Sequence, residues 1–377
     1  MPKIGNKIIL FLSLFILINS YQRYYTETFP DGKTITYKST FLVDEDTILD
    51  GDSVTSNLRD DVTILVVNAE LTIVPGHHVT KIVQEAPEDQ NFYQTDKYKY
   101  GVTGNLVAIG RKAKVIVDSS LIYVDSQFSD AIVALNGATI SLRNTTIITK
   151  SKYSKGLVVA HNAYVDINSN TKFTTEESFS PCLELFKNQG EILATNIFLN
   201  SNGEGSPLIN NVEDGKIQII LAHGSAKKSQ ILVIGGNHNV NLHNCEFDGS
   251  GEDSKDLNKA GIVIYNTHDQ STLKLVDLQI HNCKFFLNSD ESLNIPMFSC
   301  YDTQVDIMVD NTETKFNEIF MKSSKTENAK IDTKINLTIN SIGFKGEVNA
   351  EEGTSIYLKA DPNLLNDISC NEYVIIQ

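Results

Sequence analysis

"VNLHNCEFDGS" runs from Val240 to Ser250, and 38 residues further on the chain reads "LQIHNCKFFLNS", Leu278 to Ser289. His-Asn-Cys written twice invites a metal site or a thiol with its base. The flanking residues argue otherwise. Successive side chains on an extended strand point to opposite sides. Val240 and Leu242 then share an inner face, Asn244 makes a corner, and Cys245 and Phe247 return inward while His243 points out. Leu278, Ile280, Asn282, Cys283 and Phe285 repeat that phase, with His281 outward. An imidazole and a thiol on opposite sides of one wall cannot share a metal or a proton. Both stretches are therefore rungs of one scaffold, with the cysteines as small apolar fillers.

The same phrase recurs along the chain: apolar, any, apolar, any, a small polar residue that is often Asn, then another apolar. It is legible at Val115, Ile140, Val165, Ile192, Ile217, Leu278, Ile307 and Leu337, and more weakly at Leu71. A second phrase precedes most copies: "LVAIG" at Leu106, "AIVALNG" at Ala131, "GLVVAHN" at Gly156, "ILVIGG" at Ile231 and "GIVIYN" at Gly261. These end in Gly or Asn, which tolerate tight corners. Helical periodicity is nearly absent after residue 20. Short strands joined by small-residue corners, with no room for helical crossovers, predict stacked units that cannot bury their apolar faces alone. The expected fold is all-β: a single-stranded right-handed parallel β-helix, a solenoid of about ten coils. Asn144, Asn196, Asn244, Asn282 and Asn311 should stack at one corner.

The first twenty residues place Lys3 and Lys7 before an apolar run from Ile8 to Ile18, then Asn19 and Ser20. That is the form of a secretory signal, too short for a comfortable bilayer span of about 20 apolar residues. The chain divides into a signal peptide (1–20), an N-terminal cap (21–60), the β-helix (61–360) and a C-terminal cap (361–377). The expected location is secreted, extracellular or at the cell surface, with no membrane span. Without Lys3 and Lys7 the chain carries 30 basic and 47 acidic residues, a net charge of −17. Such a surface suits solubility and disfavours nucleic acid. The five cysteines are widely spaced, which rules out a disulfide-dense miniature. Asn144 in "NTT" and Asn336 in "NLT" are glycosylation sequons.

The stretches "AIVALNGATISLRNTTI" (Ala131–Ile147), "GSPLINN" (Gly205–Asn211), "AGIVIYNTHDQ" (Ala260–Gln270) and "PMFSCYDTQVDI" (Pro296–Ile307) resemble secreted, adhesin-like right-handed parallel β-helix proteins of the pectate-lyase-like superfamily. The resemblance covers about residues 40–350. It implies the fold, and a class in which most proteins have no assigned activity while many enzymes act on acidic polysaccharides.

Those enzymes set a test for chemistry. A lyase of that kind needs a basic residue beside carboxylates that hold Ca²⁺. The arginines beyond the signal, Arg23, Arg59, Arg111 and Arg143, have no acidic cluster at repeat spacing. A hydrolase needs aspartates on neighbouring coils. The adjacent pair Asp60–Asp61 stands near the N-terminal cap without the accompanying Gly-His-Gly or Arg-x-Lys motif. "DEDTILDGDS" (Asp44–Ser53) and "DGSGEDSKD" (Asp248–Asp256) offer oxygen ligands without a calcium-loop pattern. No catalytic residue, metal site or cofactor is assigned. The stretch "QNFYQTDKYKYG" (Gln90–Gly101) crowds Phe92, Tyr93, Tyr98 and Tyr100 into an insert. Aromatic faces stack on sugars, so these four are the candidate binding residues, set against the alternative that they seal the flank of the first coils. The expected function is a non-catalytic, adhesin-like or matrix β-helix contacting polysaccharide or cell-surface glycan. The alternative is a polysaccharide lyase or glycoside hydrolase with a divergent site.

Overall fold

The computed structural model describes residues 23–377 apart from 52, 86–88, 237, 254–257, 267–274, 290–292, 328, 330–331, 342–344 and 366. The signal segment 1–20 lies outside the described residues. The chain winds into a parallel β-solenoid of about 12 turns. At about 4.8 Å per coil this makes a rod roughly 55 Å long.

The inward phase read from the sequence is the register of the sheet. Val115, Ile140, Val165, Ile192, Ile217, Val240, Leu278, Ile307 and Leu337 are successive cross-strand partners, and Leu71 precedes them opposite Val115. All lie in one buried axial core. Branched aliphatic side chains fill it because they pack well against a pleated surface and carry no polar atoms.

The wall has three faces. One is a 14-stranded sheet that includes Leu106–Ile109, Ile132–Leu135, Leu157–Val159 and Leu183–Leu185. The other two form one 21-stranded sheet, because Gly190–Ser201 and Gly215–Ala226 run through a corner and serve both faces.

Parallel strands also lie outside residues 61–360. The segment before residue 61 already contributes parallel strands: Thr34–Val43 pairs with Val62–Val67, and Thr47–Leu49 with Glu70–Ile73. At the other end, Ile368–Cys370 and Val374–Ile376 continue the parallel ladders past residue 360. These extra strands raise the count from ten to about 12 coils. Among the described residues, only Arg23–Thr28 breaks the pattern, pairing antiparallel with Thr34–Val43.

The first face is apolar on both sides in its early coils. Leu65, Val67, Val107, Ile109, Val133 and Leu135 form a second buried cluster outside the wall, with Phe29, Ile35, Tyr37, Tyr100 and Val102 as its cover. The N-terminal hairpin and the insert before Leu106 supply that cover. A parallel sheet with two apolar faces needs something on each.

Candidate functional site: an aromatic corner

At the corner leading into the first face, Phe128, Tyr153 and Phe179 occupy equivalent positions on successive coils, with φ of 62°, 56° and 58°. The left-handed region costs an L-residue roughly 1–2 kcal/mol. Three bulky residues held there in succession invite a functional explanation. Their rings stack along the rod axis, with centroids 5.2 Å apart from Phe128 to Tyr153 and 5.0 Å from Tyr153 to Phe179. Such pairs recover about 0.5–1.5 kcal/mol each.

A buried serine follows each ring. The Ser154 N–H donates to Ser180 Oγ at 2.9 Å, and the Ser154 hydroxyl donates to the Ser126 carbonyl at 2.7 Å. The corner is thereby sewn coil to coil beneath its aromatic rim. The sequence carried this signal as "FSD", "YSK" and "FSP" at Phe128, Tyr153 and Phe179. It is legible once the corner is known, and strand periodicity alone does not find it.

The insert joins the rim unevenly. Thr95 Oγ1 accepts the Tyr98 N–H at 3.3 Å, capping the short helix Asp96–Lys99. Tyr93 lies flat on Tyr153, with centroids 4.6 Å apart and planes 4° from parallel, and Phe92 meets Phe128 at 5.7 Å. Tyr98 and Tyr100 are buried. Tyr98 donates to the Tyr153 carbonyl at 2.9 Å, while Tyr100 packs on Phe29 and His161 and donates to Asp31. Of the four candidate binding residues, Tyr98 and Tyr100 therefore have no face open to a ligand. The apolar exterior of the first face draws them in. The accessible rim is instead Tyr93 and Tyr153, partly exposed, and Phe179, 43% exposed. The Lys152 ammonium sits 5.3 Å from the Tyr153 ring centre and 5.2 Å from that of Phe179. Burial, then the neighbouring Tyr93, pushes the Tyr153 hydroxyl above its ordinary pKa, so it stays protonated.

Beneath Tyr98 lies a charged cluster. Lys155 pairs with Glu184, which also accepts from Asn210 Nδ2 at 2.8 Å, and Asp130 accepts the Lys155 N–H at 2.9 Å. Burial pushes the Asp130 carboxyl up to about 6, opposed by the Lys155 charge. The Tyr98 ring roofs the cluster, its centre 4.9 Å from Lys155 Nζ.

The remaining sequence candidates separate. Cys245 and Cys283 are inward and on adjacent coils, with both thiols free. They are more than apolar fillers. The Cys245 N–H donates to Cys283 Sγ at 3.3 Å, the Cys283 N–H to Thr312 Oγ1 at 3.3 Å, and the Thr312 N–H to Ser341 Oγ at 3.0 Å. The cysteines hold places that Ser or Thr hold on other coils. Donation to Cys283, reinforced by burial, keeps the Cys245 thiol protonated. His243 and His281 stand on the outer surface, in register with one another and then with Asp310. Asp61 is buried beside Lys38 at 3.0 Å, a corner role. His77 is buried against the Gly51 carbonyl, whereas His78 is exposed. Of the two oxygen-rich loops, Asp46 caps the Glu70 N–H, Asp248 accepts from Ser225, and residues 254–257 lie outside the described set. Both sequon asparagines, Asn144 and Asn336, are exposed. On another corner, an open groove of about 560 Å³ is lined by Glu191, Asp214, Lys216, His238 and Asp277. Glu191 and Lys216 pair there at 2.7 Å.

No known protein family, curated protein or solved structure matches this chain. The fold and rim define a parallel β-solenoid with an aromatic corner, and solenoid shape alone does not place it in the pectate-lyase-like superfamily.

Proposed function

We propose that this is a secreted, non-catalytic solenoid of adhesin or matrix type that contacts carbohydrate through the corner formed by Tyr93, Tyr153 and Phe179. The supporting observation is the pre-stacked, accessible rim, held at Tyr153 and Phe179 by a left-handed backbone that L-residues adopt at a cost. The C–H face of a pyranose packs on such rings, and rigid rings lose little entropy on binding. Stacking uses no ionisable catalyst, so binding should vary little between about pH 5 and 8. The test is an array of neutral and acidic polysaccharides probed with the wild type and with Tyr153→Ala. Wild-type binding that weakens in the variant supports the reading; an array with no wild-type binding sinks it.

A polysaccharide lyase or hydrolase is the second reading, favoured by the raised pKa of Asp130 beside Glu184. Against it, both carboxylates are buried beneath Tyr98 and engaged with Lys155. Turnover of any polysaccharide by the wild type, lost in Asp130→Asn, would establish it.

A further inference from the structure

The aromatic stack ends at Phe179 although the corner continues. Gly205 is the next equivalent position, with φ of 59° against 62°, 56° and 58° at the three rings before it. The serine that follows keeps its place: Ser206 Oγ accepts the Ser180 N–H at 2.9 Å and donates to the Glu177 carbonyl at 3.0 Å. Backbone and hydrogen bonding thus repeat a fourth time, and only the ring is missing.

We infer that the space over Gly205 is a vacant rung that receives one pyranose ring of a neutral glycan, stacked on Phe179. This rests on the carbohydrate reading above and names its subsite. Glycine leaves the rung without a ring of its own, and the Phe179 ring leans toward the gap. A Cβ at this position would stand 3.0 Å from both Cδ1 and Cε1 of Phe179, against the ring itself. Phe128 is 2% exposed where the insert and Tyr153 cover it, whereas Phe179 is 43% exposed. The ring-to-ring spacings of 5.2 and 5.0 Å lower in the stack are those of a stacked pair, so a ring at the same spacing on Phe179 lies above Gly205.

The rim selects the class of ring. Lys152 brings a donor 5.2 Å from the Phe179 ring centre, and exposed Glu177, two residues before Phe179, and Glu204, next to Gly205, bring acceptors. Donors and acceptors together suit hydroxyl groups, which do both. Two exposed carboxylates in the adjoining sequence and the acidic chain overall disfavour a uronate.

The experiment measures binding of soluble β-glucan, mannan and xylan, with polygalacturonate as the acidic probe. The proteins are the wild type, Phe179→Ala, Phe179→Tyr, Gly205→Ala and Gly205→Tyr, each also followed by thermal melting. Phe179→Ala and Gly205→Tyr should each weaken binding of the neutral polymer about tenfold, and Phe179→Tyr should retain it. If Gly205→Tyr does not fold, Gly205→Ala takes its place, because its Cβ already crowds the Phe179 face. Full neutral-glycan binding by folded Phe179→Ala and Gly205 variants overturns the subsite and confines the carbohydrate reading to Tyr93 and Tyr153. Preference for polygalacturonate overturns the neutral class. No wild-type binding to any of the four probes overturns the reading on which the subsite rests.

Discussion

Asn311 donates its side-chain amide to the Asn282 side-chain carbonyl at 2.7 Å, one coil bonded to the next at a shared left-handed corner. Asn196 does the same to Asn170 at 3.1 Å, and Asn144 reaches Ser119 Oγ at 3.1 Å. Asparagine suits this corner because it tolerates positive φ and brings both a donor and an acceptor. Leu221 interrupts the row at φ 58°, with half its surface exposed.

Leu221→Asn should therefore stabilise the solenoid by about 0.5–1 kcal/mol, by easing left-handed strain and supplying an amide between Asn196 and Asn244. Chemical denaturation of both proteins decides it. A fall in stability would mean that Leu221 packs usefully where it stands.

Cys283 links two coils as acceptor for the Cys245 N–H and donor to the His281 carbonyl at 3.2 Å. Cys283→Ala should cost about 1–2 kcal/mol, because a buried N–H loses its partner and a cavity opens. Cys283→Ser should recover most of that loss, since Ser341 fills the same role two coils on. Equal losses in both variants would return the cysteine to simple packing.

Lys81 is buried inside the first coils, its ammonium donating to the carbonyls of Asp61 at 2.6 Å, Thr103 at 2.7 Å and Arg59 at 3.1 Å. Burial pushes its pKa from 10.5 down to about 7, against the pull of Asp61. Between these values the unfolded chain holds a proton that the folded chain has released, so stability rises with pH across that window. Below about 7 both states are protonated, and the cost of the buried charge is present in full. Melting measured from pH 6 to 10 should climb in the wild type and flatten in Lys81→Met. That variant should also lose about 2–3 kcal/mol at neutral pH, as three carbonyls lose their donor. A wild-type slope that survives in Lys81→Met assigns the dependence to another group.

Tyr98→Ala and Tyr100→Ala should each cost about 3–5 kcal/mol by emptying buried aromatic sites. Tyr93→Ala should change melting little, because that ring is partly exposed. Differential scanning calorimetry separates them, and similar effects from all three substitutions would contradict the burial described.

The period of the chain by itself determines the solenoid. From Val115 to Leu337 each inward residue follows from strand alternation, and a slip by one residue would turn a whole row of aliphatics into water. The Asn corner was legible for the same reason, since a left-handed turn leaves few residues to choose from. What period could not reveal was the outside. The strands before Leu71 and after Leu337 lack the full phrase, so period alone undercounts the coils. In Phe92–Tyr100 four rings stand in nine residues, and nothing local says which way each one turns. That depends on the apolar exterior of the first face, built from residues as distant as Leu65 and Leu135, which buries Tyr98 and Tyr100 and leaves Tyr93 on the rim. The aromatic corner itself joins Tyr93, Tyr153 and Phe179 from three separate turns. Inward positions repeat locally and can be read from the chain; an outer surface is assembled only when the coils stack.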